Sequence, residues 1–435
     1  MADKKYYPLS IIQDYFCVPA DINRKSGKAD GEISPTLNLG IFIEKDFNAD
    51  FARKAFLKLF DYDDILKIKF VKSGLFGVKQ YFSEDIAENE IITYKNMKDR
   101  AEFENYCRFG EYPSIHLYDS CQVRAEICET SDGGGIIIYC SHVISDGYAL
   151  SGVLYPQFCK NYLSLLSGEE MPNSNRESSY EEYLNEENSE KKKEKRKNDS
   201  RIWKEEFSKH IENFKIPTKF TLDYKSYEKS FILNEEEGEK AENFAKSLSC
   251  SPFAFFFAAY ALALAQTFGI DCFSVSTDFV GRITLKEKNL FAPLDRSVPL
   301  FFDFSNKNEE DKSPREIEKL VPSTNIRFLS SASRSALPRN KFEYEFFFKQ
   351  RKKSVGFIKE SEWAKINYYI PPKKQEGFPI FESEDLKQIH DIYLAIDELD
   401  GKKKKFRLCV NEAVISRETA DTLAGILERL IKLTF

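Results

Sequence analysis

Histidine is scarce in this sequence. Its four copies, His116, His142, His210 and His390, stand far apart. None has the ligand spacing of a zinc site, so no metal is expected. Nine cysteines are scattered, with no Cys-x-x-Cys pair. An odd, unpaired set speaks against a disulfide framework and for reduced thiols in a cytoplasmic setting. The stretch Met1 to Pro8 is polar and holds no apolar h-region, so no secretory signal is expected. Neither sign of charge dominates: 64 basic and 70 acidic residues leave a net charge of -6. That balance excludes a global pull toward nucleic acid or an anionic membrane. The most apolar run, Phe253 to Phe268, is bounded by Pro252 and Gly269. A spanning helix needs about 20 apolar residues, so this shorter run is expected to be a buried core helix, not a membrane span.

What is present is apolar and aromatic. The chain is 42% hydrophobic over 435 residues, with 38 Phe and 22 Tyr. Such a length exceeds one ordinary core and fits two domains of about 200 residues. Residues 37–45 and 65–71 read as strands, and Ala52 to Phe60 between them has helical apolar spacing. Gln122 to Cys128 alternates. The turn signal Ser131-Asp132-Gly133-Gly134-Gly135 follows, then the apolar run Ile136 to Cys140. Two strands across a Gly-rich turn predict a hairpin with a buried second strand. Beyond it, Leu150, Val153, Leu154, Phe158, Tyr162, Leu165 and Leu166 recur at helical spacing, with Pro156 expected to bend or interrupt the helix.

The composition changes near residue 172. The run 186–199 mixes Glu with Lys and Arg and lacks stacking aromatics, so a solvated linker or helix face is expected there, not a nucleic-acid patch. The resulting division is an N-terminal lobe over 1–175, a charged crossover over 176–200, and a C-terminal lobe over 201–435. In the second half, strands are expected at Lys229 to Leu233, Cys272 to Thr277 and Val298 to Phe304, and helices at Glu235 to Leu248 and Thr419 to Leu433. Asp391 to Glu398 and Lys404 to Asn411 alternate across Asp400-Gly401, a hairpin signal. The four lysines 402–405 then form an exposed turn and strand start. The whole is mixed α/β.

The sharpest chemical feature is Ser141-His142-Val143-Ile144-Ser145-Asp146-Gly147. It sits between a buried strand and a helix, where a loop side chain can be rigid yet face a cleft. Histidine trades protons near neutrality, so His142 could take a proton from a hydroxyl or amine attacking a carbonyl. Asp146 could orient the site, and Gly147 allows a tight turn. On the residues alone, a second reading stays open: His142 as an ordinary loop histidine and Asp146 as the cap of the next helix. Cys140, two residues ahead, suggests a Cys-His nucleophile, although an apolar strand cysteine is usually packing.

The wider text resembles the condensation-domain superfamily, which includes the chloramphenicol-acetyltransferase-like fold. Tyr7-Pro8-Leu9-Ser10-x-x-Gln13 resembles its opening, and Ile136 to Ala149 its apolar strand, catalytic motif and helix. Ser179-Tyr180-x-x-Tyr183 with Trp203 resembles the crossover, and Pro252 to Gly269 the long core helix. Asp278 to Arg282 and Val298-Pro299-Leu300 resemble the later Gly-Arg segment and its strand. The matches keep the family's order over nearly the whole chain. The resemblance implies an α/β fold of two similar lobes forming a V with a central substrate tunnel.

It also implies roles. His142 corresponds to the active-site histidine, Asp146 to an aspartate turned away from substrate, and Arg282 to the arginine that pairs with it across the lobes. Gly147 follows as a structural residue, while Ser145, Ser141 and the Gly147 amide are candidate oxyanion or substrate contacts. The implied activity is acyl transfer from a phosphopantetheine thioester, on a carrier protein or coenzyme A, to an amine or hydroxyl. The thioester would be a co-substrate, with no tightly bound cofactor, in a free-standing monomer. Ser141 departs from the peptide-condensing members, which carry a histidine there, and an Asp-Phe-Gly-Trp-Gly motif is absent. Two alternatives accompany this reading: a non-catalytic protein that binds a carrier or partner, and an epimerase or cyclase on a carrier-bound substrate.

Overall fold

The computed structural model describes residues 5–14, 16–17, 33–34, 36–73, 77–111, 113–173, 179–210, 225–305, 315–334, 363–369, 375–382, 390–399 and 402–434. The Asp400-Gly401 turn and residues 174–178, around the first expected boundary, lie outside them. The elements that position the site, in chain order, are β1 (Thr36–Ile43), α1 (Ala49–Leu57), β2 (Ile92–Asn96), β3 (Val123–Thr130), β4 (Gly133–Ser141) and α2 (Tyr155–Leu166). There follow β5 (Ser226–Leu233), α3 (Pro252–Phe268), β6 (Cys272–Phe279), β7 (Arg296–Asp303), α4 (Arg315–Ser333) and β8 (Ala364–Tyr369). The last are β9 (Ile380–Phe381), β10 (Ile392–Glu398), β11 (Lys404–Asn411) and α5 (Arg417–Lys432).

The strands form two main sheets, one per lobe. The first has the order β9-β1-β4-β3-β2, and the second β7-β6-β8-β10-β11-β5. In the first sheet, β4 is central and buried on both faces. Ile136, Ile138 and Cys140 enter the main core. Ile137 and Tyr139 enter a smaller core on the other face, with Phe42, Phe103 and Phe381. Double burial explains an uninterrupted apolar strand. The expected Gly-rich turn is shorter than the sequence suggests. Only Ser131 and Asp132 turn, and the three glycines begin β4. A Cβ at Gly135 would come within 2.8 Å of the Phe103 ring, so this glycine serves close packing.

In the second sheet, Phe273 and Val275 of β6, Ile366 of β8, Leu394 of β10 and Leu408 of β11 pack with the apolar helix α3 in one core. Ser251 caps α3 by accepting from Ala254 N, Pro252 occupies its first turn, and Gly269 ends it in the left-handed conformation at φ 60°. Ala254 to Ala265 are all buried within the protein. Among the described residues no single helix is long and apolar enough to cross a membrane.

The charged crossover takes the helical form of its two expected ones, and two departures from the sequence reading have physical causes. The described part of the crossover, 179–200, is largely helical: Tyr180–Glu187 opens with a Ser179/Glu182 capping box, and Glu190–His210 follows. Tyr180 and Leu184 are buried, so this charged stretch still anchors to the core. Next, segments from beyond residue 201 join the first lobe. β9 pairs with β1, and Leu290, Phe291, Ala292 and Leu294 enter the first core. Finally, Lys404 is not exposed. Its ammonium is fully buried and reaches Glu242 at 2.8 Å and Glu398 at 3.7 Å, which compensates a charge that burial would otherwise penalise.

Candidate active site

Residue 142 lies where β4 ends. Ser141 is the last paired residue, opposite Thr36, and the chain then turns through His142 to Ile144 before a helix begins at Gly147. Alternation stops at the turn, after Ser141. Cys140 is fully buried in the core, and burial pushes its thiol well above the ordinary range. That environment does not suit a nucleophile, which must be a thiolate.

His142 Nδ1 lies 2.9 Å from the carbonyl oxygen of Ser145. A carbonyl only accepts, so Nδ1 carries the proton in this contact. In the neutral form of the ring this tautomer leaves Nε2 with the lone pair. Phe16 stacks on the imidazole, with centroids 4.5 Å apart and planes at 30°. The opening motif explains how Phe16 arrives there. Ser10 N donates to Gln13 Oε1 at 2.9 Å, and Gln13 N donates to Ser10 Oγ at 3.2 Å. This reciprocal capping box starts a helical turn. Gln13 also bonds Gln80 at 2.8 Å, so the turn is tied down and Phe16, just beyond it, is carried onto the ring.

Ser141 and Ser145 are both buried. Val143 N donates to Ser141 Oγ at 3.2 Å, and Ser145 Oγ donates to the Ser141 carbonyl at 3.1 Å. Their hydroxyls hold the loop together and do not face an open site. Gly147 is exposed, and a Cβ there would meet nothing within 4 Å. Its backbone needs no glycine conformation, so the expected tight-turn role does not apply. Open space beside a helix start does. The amides of Gly147 and Tyr148 lie in the first turn and have no intrahelical acceptor.

Asp146 points away from the open side. Its Oδ1 accepts from Ala149 N at 2.7 Å, capping the helix. Its Oδ2 accepts from Arg282 at 2.8 Å, from Leu294 N at 2.8 Å and from Asp295 N at 3.1 Å. Arg282 also donates to the carbonyls of Val280 and Ala292 and lies over the Tyr148 ring at 4.6 Å. Both side chains of the pair are about 1% exposed. The pair thus joins the helix after His142 to the loop between β6 and β7. The helix it caps widens into a π-turn over Ala149–Leu154, directly ahead of Pro156. A proline lacks the N–H that a regular turn uses, and the wide turn accommodates that loss.

Gly281, next to Arg282, has φ 72°, and a Cβ there would lie 1.9 Å from the Leu294 carbonyl oxygen. We expect Gly281→Ala to cost at least about 1–3 kcal/mol, from left-handed strain alone, and more from the clash. Urea unfolding measures this. An unchanged midpoint would show that the loop is looser than its geometry.

Two carboxylates near the site escaped the sequence reading. Asp278 Oδ2 meets Lys365 at 2.7 Å and accepts from Asn367 at 2.7 Å. Burial raises its carboxyl, but Lys365 and Asn367 outweigh that and hold it below the ordinary range. Asp295 is pushed up to about 7, first by burial and then by the charge of Asp146. Its signal was visible: a carboxylate directly ahead of the apolar strand Val298 to Phe304 needs a reason to be there.

A search of curated proteins finds no match. Solved structures match over the full length at low identity. The epimerization domain from the third module of tyrocidine synthetase B is 16% identical, with 99% of this chain and 96% of that one covered at a TM-score of 0.69. The SgcC5 protein from Streptomyces globisporus is 14% identical, with 97% and 99% covered at 0.65. A variant of the starter condensation domain of rhizomide synthetase, in complex with C8-CoA, is 14% identical, with 99% and 94% covered at 0.71. These likenesses share the two-lobed α/β fold. The family model described as Condensation domain matches residues 36–292, more than half of the sequence. The chain therefore belongs to the condensation-domain family.

Proposed function

We propose that this protein transfers an acyl group from a phosphopantetheine thioester, on coenzyme A or a carrier protein, to an amine or hydroxyl acceptor. The observation that carries the reading is the tautomer of His142. With Nδ1 held by the Ser145 carbonyl, Nε2 is the free base. The acceptor's N–H or O–H gives its proton to Nε2 as the nucleophile attacks the thioester carbonyl. The tetrahedral intermediate then collapses, the C–S bond breaks, and Nε2–H returns the proton to the leaving thiolate. The oxyanion needs donors. The Gly147 and Tyr148 amides at the helix start supply them in this reading, in place of the buried Ser141 and Ser145 hydroxyls. Asp146 and Arg282 act as positioning residues that fix the loop.

A relative in complex with C8-CoA supports a thioester donor. Another relative, an epimerization domain, makes proton transfer at a carrier-bound residue the competing use of the same base. Intact-mass spectrometry decides between them. The protein is mixed with a panel of acyl-coenzyme A and acylated carrier proteins, plus amine and alcohol acceptors. Acyl transfer predicts a condensed product and free thiol. Stereochemical inversion without a mass change would replace this reading with epimerisation. Binding of a loaded carrier without turnover would replace it with a non-catalytic role.

A further inference from the structure

We infer that Phe16 is a positioning residue for the base, and that the buried Gln13–Gln80 amide pair is what puts it there. The inference rests on the reading of His142 as the proton handler and extends the site to the N-terminal segment. The ring torsion of a histidine is soft and roughly two-fold, so Nε2 of a loop histidine has no fixed direction of its own. Two contacts supply one. The Phe16 ring lies 4.5 Å from the imidazole, with the planes at 30°, and holds the plane of the imidazole. The Ser145 carbonyl, 2.9 Å from Nδ1, then selects which way round the ring lies in that plane. Either contact alone leaves the other choice open. A single neutral hydrogen bond favours one orientation by about tenfold at most, and an aromatic contact by about the same factor. Together they cover one face of the imidazole and present Nε2 at its edge.

Phe16 is held from both sides along the chain. Upstream, Gln13 and Gln80 are both fully buried and exchange two hydrogen bonds. Gln13 Nε2 donates to Gln80 Oε1 and Gln80 Nε2 donates to Gln13 Oε1, each at 2.8 Å. Gln13 Oε1 also accepts from Ser10 N at 2.9 Å, and Gln80 Nε2 also donates to the Pro8 carbonyl at 2.8 Å. The main chains join as well: Tyr7 N donates to the Gln80 carbonyl at 2.8 Å, and Gln80 N to the Tyr7 carbonyl at 3.2 Å. Gln80 itself stands in the strand Gly77–Phe82, which pairs with Ile68–Ser73. Buried amides cost free energy unless bonded, whereas apolar side chains would fill the same space without that demand. What a satisfied polar network adds is a single direction, and here it fixes where the turn before Phe16 points. The crossover helix Tyr180–Glu187 grips the same segment: Ile11 N donates to Glu187 Oε2 at 3.2 Å, and Lys5 meets Glu181 at 2.8 Å. Downstream, Cys17 is buried in the first core. Phe16 therefore reaches His142 from between two anchored neighbours.

The test is the nitrogen and proton NMR spectrum of the whole chain labelled at histidine. With four histidines, His142 is assigned by its loss in His142→Ala, and the other three report on folding. Wild type is expected to show neutral His142 protonated at Nδ1, with its ring protons shifted upfield by the stacked phenyl ring. Phe16→Ala should abolish that shift and lower kcat about tenfold or more, with KM little changed, for the conversion that the intact-mass panel identifies. Phe16→Tyr should restore both. The double variant Gln13→Met/Gln80→Met replaces both partners with apolar groups of similar shape, the best tolerated way to remove a buried pair. It should also lose the shift while the other histidines keep theirs, and Gln13→Met alone serves if the double variant does not fold. The inference is overturned if wild-type His142 shows no upfield shift, if Phe16→Ala loses the shift but keeps its kcat, or if the amide variants keep the shift. The spectrum needs no turnover, so two failures are distinguishable. A stacked, Nδ1-protonated His142 in a protein that turns over no thioester leaves the positioning in place and removes acyl transfer. Acyl transfer by a protein whose His142 is not stacked removes only this inference.

Discussion

Replacing His142 with alanine should cut kcat/KM for acyl transfer by about 10²–10⁴ while leaving the fold intact, because general-base catalysis typically contributes that factor. The same factor corresponds to about 3–5 kcal/mol of transition-state stabilisation. The structural loss is small by comparison. Among the described residues, His142 makes one hydrogen bond, to the Ser145 carbonyl, and one stack, with Phe16. A single neutral hydrogen bond is worth about 0.5–1.5 kcal/mol net. Activity and stability should therefore separate cleanly in this variant. Rates are compared with the donor and acceptor found by the intact-mass panel, and unfolding is followed in urea. A variant within threefold of wild type would remove the proton-transfer role and leave His142 as a loop residue. Phe16 offers a graded control: its loss removes the stack without touching Nε2.

Much of the site was legible because it is coded locally. The apolar run Ile136 to Cys140 predicts a buried strand, and a histidine following such a strand is a rigid residue at an edge. What local coding hides is which groups meet across the lobes. Asp295 and Arg282 lie more than a hundred residues from His142 in sequence, yet both hydrogen-bond Asp146. No periodicity could bring them together. Arg282 was reached only through resemblance, and Asp295 was not reached at all. Similarly, Ser10 and Gln13 were visible as a motif, but their purpose, a capping box leading to Phe16, needed the fold. The partner of the Ser145 hydroxyl was hidden for another reason: a hydroxyl in a tight loop has backbone carbonyls in reach, and Ser145 donates to one. The two-lobe division read from composition was also too simple, since β9 returns from the second half to pair with β1. A two-residue strand leaves almost no pattern to read.

The largest stability effect should come from the Asp146–Arg282 pair. Breaking a buried ion pair by removing one partner typically costs about 3–5 kcal/mol, because the other charge stays buried alone. Both side chains here are almost fully buried, so solvent cannot compensate. The two halves of the pair are not equivalent. Arg282→Met leaves Asp146 without its cation but still accepting from the amides of Ala149, Leu294 and Asp295. Asp146→Ala strands the guanidinium and also removes the acceptor of all three amides, each worth about 1–3 kcal/mol if left buried and unsatisfied. Asp146→Ala should therefore be the more damaging change. Asn at 146 should rescue only in part, because its single oxygen can accept but the NH2 that replaces the second oxygen cannot, and the negative charge facing Arg282 is lost. The double variant should cost less than the sum of its parts, since contacting charges are coupled. Urea unfolding of the four proteins measures that coupling. Additive losses, or Arg282→Met within about 1 kcal/mol of wild type, would mean that the pair does not hold the lobes. The predicted coupling would instead make the pair the device that sets the His142 loop against the second lobe. Activity should then fall in Arg282→Met even at temperatures where it remains folded.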